Sequence, residues 1–325
     1  MPGVRIPLWL PIRSLGSINV YVFEEDDGIT LIDAGMLSGR SILDLVWGLK
    51  NLGYTLCNIK RVILTHFHVD HSSLASILVP CGTEIIMSKQ DASVITEEVR
   101  NFIEAATNLF KNHGVPDHEI EAMLKNHPAL RLEYAYSRLK EATISTVEDG
   151  DKIQVGGKEL EIVLTPGHTP GSMVLLDREE NAIYSGDTIL PGITPHITLH
   201  DPDSDPLGDY LNSLKKIIKL SPSRAYPGHR NPIDDPVKRA KELLKHHDER
   251  LNEIVDIIKR AGQITAYEIA KKVRWRTRYN DWSEYPPQEK FFAMGETLAH
   301  LRRLEVEGRV EKFEANGLVY WRANY

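Results

Sequence analysis

The chain has 325 residues and a formal net charge of −7, and 42% of its residues are hydrophobic and 26% charged. This length and composition are typical of a globular protein with one large domain and one smaller domain. The sequence contains no run of about 18 apolar residues, which excludes a membrane-spanning helix, and its acidic balance argues against a general nucleic-acid binder.

The amino-terminal residues lack the basic and then apolar segments of a secretory signal. Two cysteines are present, Cys57 and Cys81, and their spacing is not that of a metal site. We expect both to be buried or inert thiols in a reducing compartment. The sequence therefore favours a cytoplasmic protein with no membrane partner.

Alternating apolar residues predict two strands between residues 17 and 33, and residues 41–52 have the pattern of an amphipathic helix. The second strand ends at Asp33. This carboxylate has two interpretations: it orients a ligand histidine from behind, or it caps the helix that follows.

The segment 65–71 contains four side chains that can bind a metal ion. A β-branched apolar run at 61–65 predicts a buried strand before it, and the apolar spacing of residues 72–79 is typical of a helix. The segment is therefore expected on a turn at the carboxyl end of a strand, where functional residues often lie in α/β proteins.

The spacing within this segment suits two neighbouring ions. In an extended backbone, side chains two residues apart point the same way, so His66 and His68 can hold one ion together. After a bend, Asp70 and His71 can face a second position. Imidazole and carboxylate are natural ligands for zinc and its first-row neighbours.

A further strand is predicted at 84–87, and a long helical stretch follows at about 91–142. This insert separates segments that carry candidate ligands. It is predicted to form either a lid or substrate wall, or an extra packing layer or homodimer face. Three of its histidines have no ligand spacing and are expected to be solvated: His113, His118 and His127.

Three later strands are predicted at 159–164, 181–184 and 224–226. Each leads to a glycine and then to a candidate ligand, and these ligands are His168, Asp187 and His229. Glycine permits the backbone conformations and close approach that a crowded metal site needs. Three repetitions of one arrangement indicate a shared site.

The last 90 residues differ in character. A long polar helix is predicted at 236–261, and Thr265 and Glu268 fit a capping box that opens a short helix. Another helix is predicted at 294–307, and Asn316-Gly317 predicts a type I′ hairpin turn.

Helices followed by a β-hairpin describe a winged-helix-like module. We therefore predict a catalytic domain at 1–235 and a winged-helix-like domain at 236–325. From residue 237 onward the chain has 18 basic and 14 acidic residues, whereas the rest is acidic. This basic tail keeps nucleic acid open as an alternative partner.

Seven side chains are thus candidate metal ligands, enough for two divalent ions. They are His66, His68, Asp70, His71, His168, Asp187 and His229. The natural division places the first two histidines with His168, and Asp70 and His71 with His229, while Asp187 bridges. Zinc is favoured, with iron and manganese as alternatives.

Two such ions can share a hydroxide, because a metal lowers the pKa of bound water to about 7. They also polarise the scissile carbonyl or phosphoryl oxygen. Asp70 would lie beside the bridging water and is the candidate catalytic residue, which accepts the proton or passes it to the leaving group.

The pattern His66-x-His68-x-Asp70-His71, followed in order by His168, Asp187 and His229, resembles the metallo-β-lactamase superfamily. The turn Asp33-Ala34-Gly35 is similar to the first motif of that family, and the resemblance covers about residues 15–235. It implies a four-layer αβ/βα sandwich with a di-metal cleft at one edge, here with a helical insert.

Within the family, Asp187 argues against a true lactamase, and His68 stands where the di-iron oxygen reductases have a glutamate. The pattern is most similar to glyoxalase II-like thioesterases, lactonases and β-lactamase-like endoribonucleases. The gap between His71 and His168 is longer than in most glyoxalase II-like members, and their basic glutathione-binding tail has no counterpart. The winged-helix-like tail resembles that of the endoribonuclease group.

We therefore expect a hydrolase whose small-molecule acyl substrate is a thioester or related activated ester. The first alternative is a phosphodiesterase or endoribonuclease acting on single-stranded RNA through the basic residues and Trp275 of segment 271–278. The second is a lactonase, or a regulator that binds metal and ligand without turnover.

Overall fold

The computed structural model describes residues 3–12 and 15–324. Its first sheet has six strands: β1 (Val4–Trp9), β2 (Ser17–Glu25), β3 (Gly28–Ile32), β4 (Ile59–Ile63), β5 (Glu84–Ser88) and β6 (Ile144–Val147). They lie in chain order, antiparallel from β1 to β3 and parallel from β3 to β6. The loops that follow β3, β4 and β5 therefore meet at one edge of the sheet.

The second sheet has five strands: β7 (Lys152–Val155), β8 (Lys158–Leu164), β9 (Met173–Asp177), β10 (Ala182–Gly186) and β11 (Arg224–Pro227). Their order is β11-β10-β9-β8-β7, and β10 and β11 are parallel while the other pairs are antiparallel. The carboxyl ends of β8, β10 and β11 point to the same edge, because β8 and β10 both run antiparallel to β9.

The two sheets pack face to face over a shared apolar core. The first sheet contributes Tyr21, Phe23, Ile32, Ile63, Ile86 and Val147, and the second contributes Val155, Leu160, Ile162, Met173, Leu175 and Tyr184. Burying this apolar area stabilises the pair of sheets by about 25 cal/mol per Å². The predicted sandwich is confirmed.

Eleven α-helices occur in the described part of the chain. They are α1 (Gly39–Asn51), α2 (Val69–Ser72), α3 (Lys89–Glu97), α4 (Val99–Asn112), α5 (Asp117–Asn126), α6 (Pro128–Arg131), α7 (Glu133–Leu139), α8 (Pro206–Leu220), α9 (Pro236–Ala261), α10 (Ala266–Ala270) and α11 (Pro287–Val306). Helix α1 packs against β1, and α3 packs against β5 and β6. The predicted helical stretch at 91–142 is present as α3 to α7.

The prediction of a helix at residues 72–79 is wrong. After α2, residues 73–77 and 79–81 form short 3₁₀ turns. Serine hydroxyls compete for the backbone here, because Ser73 donates to the carbonyl of Val69 and Ser76 to that of Ser73.

The third sheet has the strands β12 (Ile264–Thr265), β13 (Val310–Ala315) and β14 (Leu318–Ala323), in the order β12-β14-β13. Asn316 and Gly317 have φ values of 51° and 75°, which confirms the predicted hairpin turn. The threonine half of the capping box predicted for α10 is confirmed, since the backbone N–H of Glu268 donates to Thr265 Oγ1 at 3.3 Å.

By packing, the chain divides into two compact units. The first contains Met1–Val99, Leu132–Pro195 and Asn212–Lys241, with both sheets of the sandwich; the second contains Arg100–Arg131, His196–Leu211 and Glu242–Tyr325, with the third sheet. A domain boundary at residue 235 stays a prediction.

The expected solvation of His113 is wrong. In the second unit, His113 is 8% exposed, and its Nδ1 accepts a hydrogen bond from Trp321 Nε1 at 3.3 Å. The sequence around His113, directly after α4, gives no indication of this contact, because Trp321 lies 208 residues further along the chain.

The prediction that both cysteines are free thiols is also wrong. Cys57 and Cys81 form a disulfide with their Cα atoms 5.1 Å apart. They precede β4 and β5, which are neighbouring parallel strands, so their amino-terminal ends lie side by side. The inference of a reducing compartment from free thiols therefore falls away. Within the described residues, none of the helices has both the length and the apolar character required to span a bilayer.

Candidate metal centre

All seven candidate ligands follow strand ends at one edge of the sandwich. The segment with His66, His68, Asp70 and His71 follows β4, while His168, Asp187 and His229 follow β8, β10 and β11. All belong to the first compact unit. The structure thus brings together side chains that are up to 163 positions apart in the sequence.

His66, His68 and His168 form one group, in which a nitrogen atom of each ring lies within 4.8 Å of the others. His68 Nδ1 is 2.9 Å from His168 Nε2. Three imidazoles that converge in this way present a nitrogen donor set typical of a divalent first-row metal.

Asp70, His71 and His229 form a second group with the same limit on ligand-atom distances. His229 Nε2 is 3.3 Å from both Asp70 Oδ2 and His71 Nε2. This group combines two imidazoles with a carboxylate, and the segment 66–71 contributes to both groups.

Asp187 lies between the two groups. Its Oδ1 is 3.3 Å from His71 Nε2, and its Oδ2 is 3.7 Å from His168 Nε2 and 3.6 Å from His229 Nε2. One carboxylate is thus in reach of histidines from both groups, which is the position expected of a bridging ligand.

Five of the seven side chains are buried, His68 and Asp70 are partly exposed, and the charges of the site act strongly on one another. Burial alone would raise the pKa of Asp187, but the charges of His229 and His71 outweigh it and hold the pKa well below its usual value. Burial also raises the pKa of Asp70. The hydrogen bond with His229 and the charges of His71 and His229 lower it by more, so the pKa lies below its usual value. Both carboxylates are therefore ionised at neutral pH.

The histidines of the second group show the opposite balance. Burial lowers the pKa of both rings, but Asp33 and Asp187 raise the pKa of His71 above its usual value. Asp187 and Asp70 do the same for the pKa of His229. Without an ion, the carboxylates thus attract protons to the histidines. Since an ion binds neutral imidazole, loading this group would release protons.

Two contacts fix which histidine nitrogen faces the site. His71 Nδ1 is 2.8 Å from Asp33 Oδ2, and His229 Nδ1 donates to the carbonyl of Ser17 at 2.8 Å. Both rings therefore present Nε2 to the centre. Asp33 holds a ligand candidate from behind, while α1 is capped by Ser38.

Sequence reasoning missed Asn19, a buried polar residue on β2. Its backbone N–H donates to the carbonyl of Gly228 at 2.6 Å, and its amide donates to the carbonyls of Pro227 and Arg230 at 2.9 and 2.8 Å. It therefore ties the first sheet to the loop that carries His229. Its position among alternating apolar residues was the available sequence indication.

The glycines before the ligands are required by close approach. A Cβ atom on Gly228 would lie 2.5 Å from His71 Cε1, and one on Gly186 would lie 2.5 Å from Thr65 Oγ1. Gly186 also has a φ of 46°. This packing and a donor set of five imidazoles and two carboxylates fit a pair of divalent ions.

The chain is similar to known proteins in sequence and in fold. A family model for the metallo-beta-lactamase superfamily matches residues 13–229. A probable metallo-hydrolase from Bacillus subtilis is 26% identical over 98% of this chain and 97% of its own length. A beta-lactamase-like protein 2 homolog from Caenorhabditis elegans is 26% identical over 92% of this chain and 82% of its own length.

Among solved structures, a metallo-beta-lactamase family protein from Thermus thermophilus is similar over 99% of this chain and 98% of its own, with 27% identity and a TM-score of 0.82. A beta-lactamase domain protein from Burkholderia ambifaria has a TM-score of 0.76 at 24% identity and covers 98% of this chain and 92% of its own. Both similarities extend beyond the sandwich to the carboxyl-terminal region.

Proposed function

The chain belongs to the metallo-beta-lactamase superfamily, and from this premise we propose that it is a binuclear metal-dependent hydrolase of thioesters or related activated esters. The observation that carries the proposal is the convergence of six side chains into two ligand groups, with Asp187 in reach of histidines from both groups. A single structural ion would need only one closed set of about four ligands.

In this proposal, His66, His68 and His168 would hold one ion, and Asp70, His71 and His229 would hold the second. Asp187 is in reach of histidines from both groups. Zinc suits these ligands, with iron or manganese as alternatives. When bound, two such ions lower the pKa of a water molecule to about 7 and polarise the bond to be cleaved.

Asp70 is the proposed proton acceptor. Since histidine contacts hold its pKa below the usual value, the carboxylate is ionised and free of a proton at neutral pH. Its Oδ2 is oriented by His229 Nε2 at 3.3 Å. It can therefore take a proton from the attacking water and return it to the leaving group.

The charges around the site support a neutral acyl substrate. Among the described residues, the charges that most strongly shift the pKa values of the two site carboxylates, His71 and His229 belong to the site itself and to Asp33. None of these charges is carried by a lysine or an arginine. A phosphodiester is anionic, and binding it would favour additional cationic side chains nearby.

The alternative, a nuclease for single-stranded RNA, is favoured by one feature of the second unit. Five basic side chains between residues 271 and 278 are exposed: Lys271, Lys272, Arg274, Arg276 and Arg278. However, Trp275 is half-buried, its Nε1 donates to the carbonyl of Ala270, and Arg250 covers its ring at 4.5 Å. It is therefore less available for stacking with a base.

The order of α9, β12, α10, α11, β13 and β14 supports the proposal of a winged-helix-like carboxyl-terminal module. The sheet β12-β14-β13 with its tight hairpin is what such a module requires. A role in contacting substrate or a partner is part of the alternative and depends on the basic side chains.

One substrate panel on metal-analysed protein tests the proposal. It contains an acyl-thioester, a lactone, a bis-aryl phosphodiester and a short single-stranded RNA. We expect turnover of the thioester and a loss of at least about 100-fold in Asp187→Ala, because a misplaced centre loses activity steeply. Asp177→Ala is the matched control, since Asp177 is a 2% exposed carboxylate on β9 that pairs with Lys158 at 2.6 Å.

If Asp187→Ala kept both ions and full rate on every substrate, the proposed centre would be wrong. Salt separates the two leading functions, because binding through phosphates weakens steeply as salt rises, whereas thioester turnover should hardly respond. Lys271→Ala with Lys272→Ala should reduce activity only if RNA is the substrate.

A further inference from the structure

Asp91 is a fully buried carboxylate in the first turn of α3. Its Oδ1 accepts a hydrogen bond from the backbone N–H of Gly171 at 2.7 Å. Its Oδ2 accepts one from the backbone N–H of Phe67 at 2.9 Å and one from Thr169 Oγ1 at 2.8 Å. Three donors thus satisfy one carboxylate.

These donors belong to the two loops that carry the first ligand group. Phe67 lies between His66 and His68, and Thr169 directly follows His168. The two loops follow strands of different sheets, β4 and β8. The carboxylate of Asp91 therefore joins the two sheets at the point where the three histidines meet.

Helix capping does not account for this arrangement. The cap of α3 is Ser88, whose Oγ accepts the backbone N–H of Asp91 at 3.3 Å, so the carboxylate is not needed there. Burying a carboxylate is costly unless it is fully hydrogen-bonded. Burial raises the pKa of Asp91 to about 6, against the effect of its three donors.

The packing around Asp91 is close. A Cβ atom on Gly171 would lie 2.0 Å from Ser88 Oγ and 2.6 Å from Asp91 Oδ1. The loop after His168 must therefore carry a glycine to approach the start of α3. Such close packing is expected where a contact fixes the position of one loop relative to another.

We propose that Asp91 is a positioning residue for the metal centre, which fixes the loop of His168 relative to the loop of His66 and His68. This inference rests on the proposed function, because it takes these three histidines as the ligands of one ion. The carboxylate acts through the two loops and touches neither ion nor substrate.

Asparagine at this position has the same shape but the wrong hydrogen-bonding groups. An amide has one acceptor oxygen, so its NH₂ group would face either Gly171 N–H or the pair of donors on the other side. Either the contact with Gly171 or the contact with Phe67 would then be lost. We expect Asp91→Asn to weaken zinc binding about 10- to 100-fold, as is typical when a partner outside the ligand set is removed.

The experiment compares wild type, Asp91→Asn and the control Asp177→Asn, which changes another buried carboxylate of the same unit. Zinc affinity and stoichiometry are measured by competition with a chromogenic chelator. Amide hydrogen exchange of segments 66–71 and 167–171 is measured on metal-free protein. For Asp91→Asn we expect weakened zinc binding and lost protection in segment 66–71 or in segment 167–171, and for Asp177→Asn we expect wild-type behaviour.

Wild-type zinc affinity or unchanged protection in Asp91→Asn would overturn the inference. If Asp91→Asn does not fold, Thr169→Val and Thr169→Ser decide: the valine, which lacks the hydroxyl, should bind zinc about 3- to 10-fold more weakly than the serine, and equal affinities would overturn the inference. If wild type binds no zinc, the proposed function fails, while hydrogen exchange still decides whether Asp91 joins the loops.

Discussion

Replacing Gly228 by alanine tests how closely the candidate centre is packed. Gly228 precedes His229, and a Cβ atom there would lie 2.5 Å from His71 Cε1 and 2.9 Å from Asp187 Oδ1. Its φ is outside the left-handed region, so alanine can adopt the backbone conformation. The effect of the substitution is therefore steric and is directed at two ligand candidates.

The magnitude follows from the distances. Carbon atoms in contact normally lie about 3.5–4.0 Å apart, so the His71 ring or the backbone must move by about 1 Å. His71 is fixed by Asp33 at 2.8 Å, and moving the ring weakens that contact. We expect a loss of about 1–3 kcal/mol in the free energy of unfolding and about a 100-fold lower kcat/KM, since a 1 Å misplacement has that order of effect.

The assay measures zinc stoichiometry, kcat/KM on the substrate found in the panel, and urea unfolding for Gly228→Ala and its control, Gly39→Ala. Gly39 begins α1, and a Cβ atom there would meet no atom within 4 Å. The control should behave as wild type. Full zinc loading and an unchanged rate in Gly228→Ala would refute the reasoning that the centre is built on this close approach.

Three further predictions concern other contacts. Asp33→Asn should weaken zinc binding about 10- to 100-fold, because an amide cannot serve both donors now held by the carboxylate; chelator competition that gave the wild-type affinity would contradict this. The double variant Cys57→Ser and Cys81→Ser should have a free energy of unfolding about 3 kcal/mol lower than that of wild type, because it removes a cross-link that closes a loop of 24 residues. Equal urea midpoints for the variant and the oxidised wild type would argue against this. Burial lowers the pKa of His200 and of His300 to about 3. As pH falls below 6.5, these histidines therefore take up protons in the unfolded chain before they do so in the folded protein. Their contribution to stability is present above pH 6.5 and is lost as pH falls towards 3. Urea unfolding at pH 7, 6 and 5 should show a loss of up to about 1.4 kcal/mol per pH unit for each histidine, and a flat profile would rule this out.

Much of the local structure follows from short sequence patterns. Alternation between residues 17 and 33 predicts β2 and β3, and Asn316-Gly317 predicts a turn whose two residues have positive φ. The helix at 236–261 has the same bounds in the structure. These features depend on neighbours within a few residues, which the sequence displays directly.

The serine-rich segment 72–79 shows where such patterns fail. Its apolar spacing is typical of a helix, but serine hydroxyls bind backbone carbonyls and the segment forms 3₁₀ turns. Apolar periodicity records which side is buried, and it does not record how side chains compete for backbone groups. A pattern of burial alone therefore gave the wrong kind of element.

By itself, the sequence determined the candidate ligands, their place after strand ends and the glycines beside them, because the donor atoms and the backbone requirements are properties of single residues. Only the tertiary structure decided that His168, Asp187 and His229 meet the segment 66–71, that Cys57 pairs with Cys81, and that Asp91 joins two loops. These contacts span 24 to 163 positions and arise from strand order and sheet packing, which no local pattern encodes.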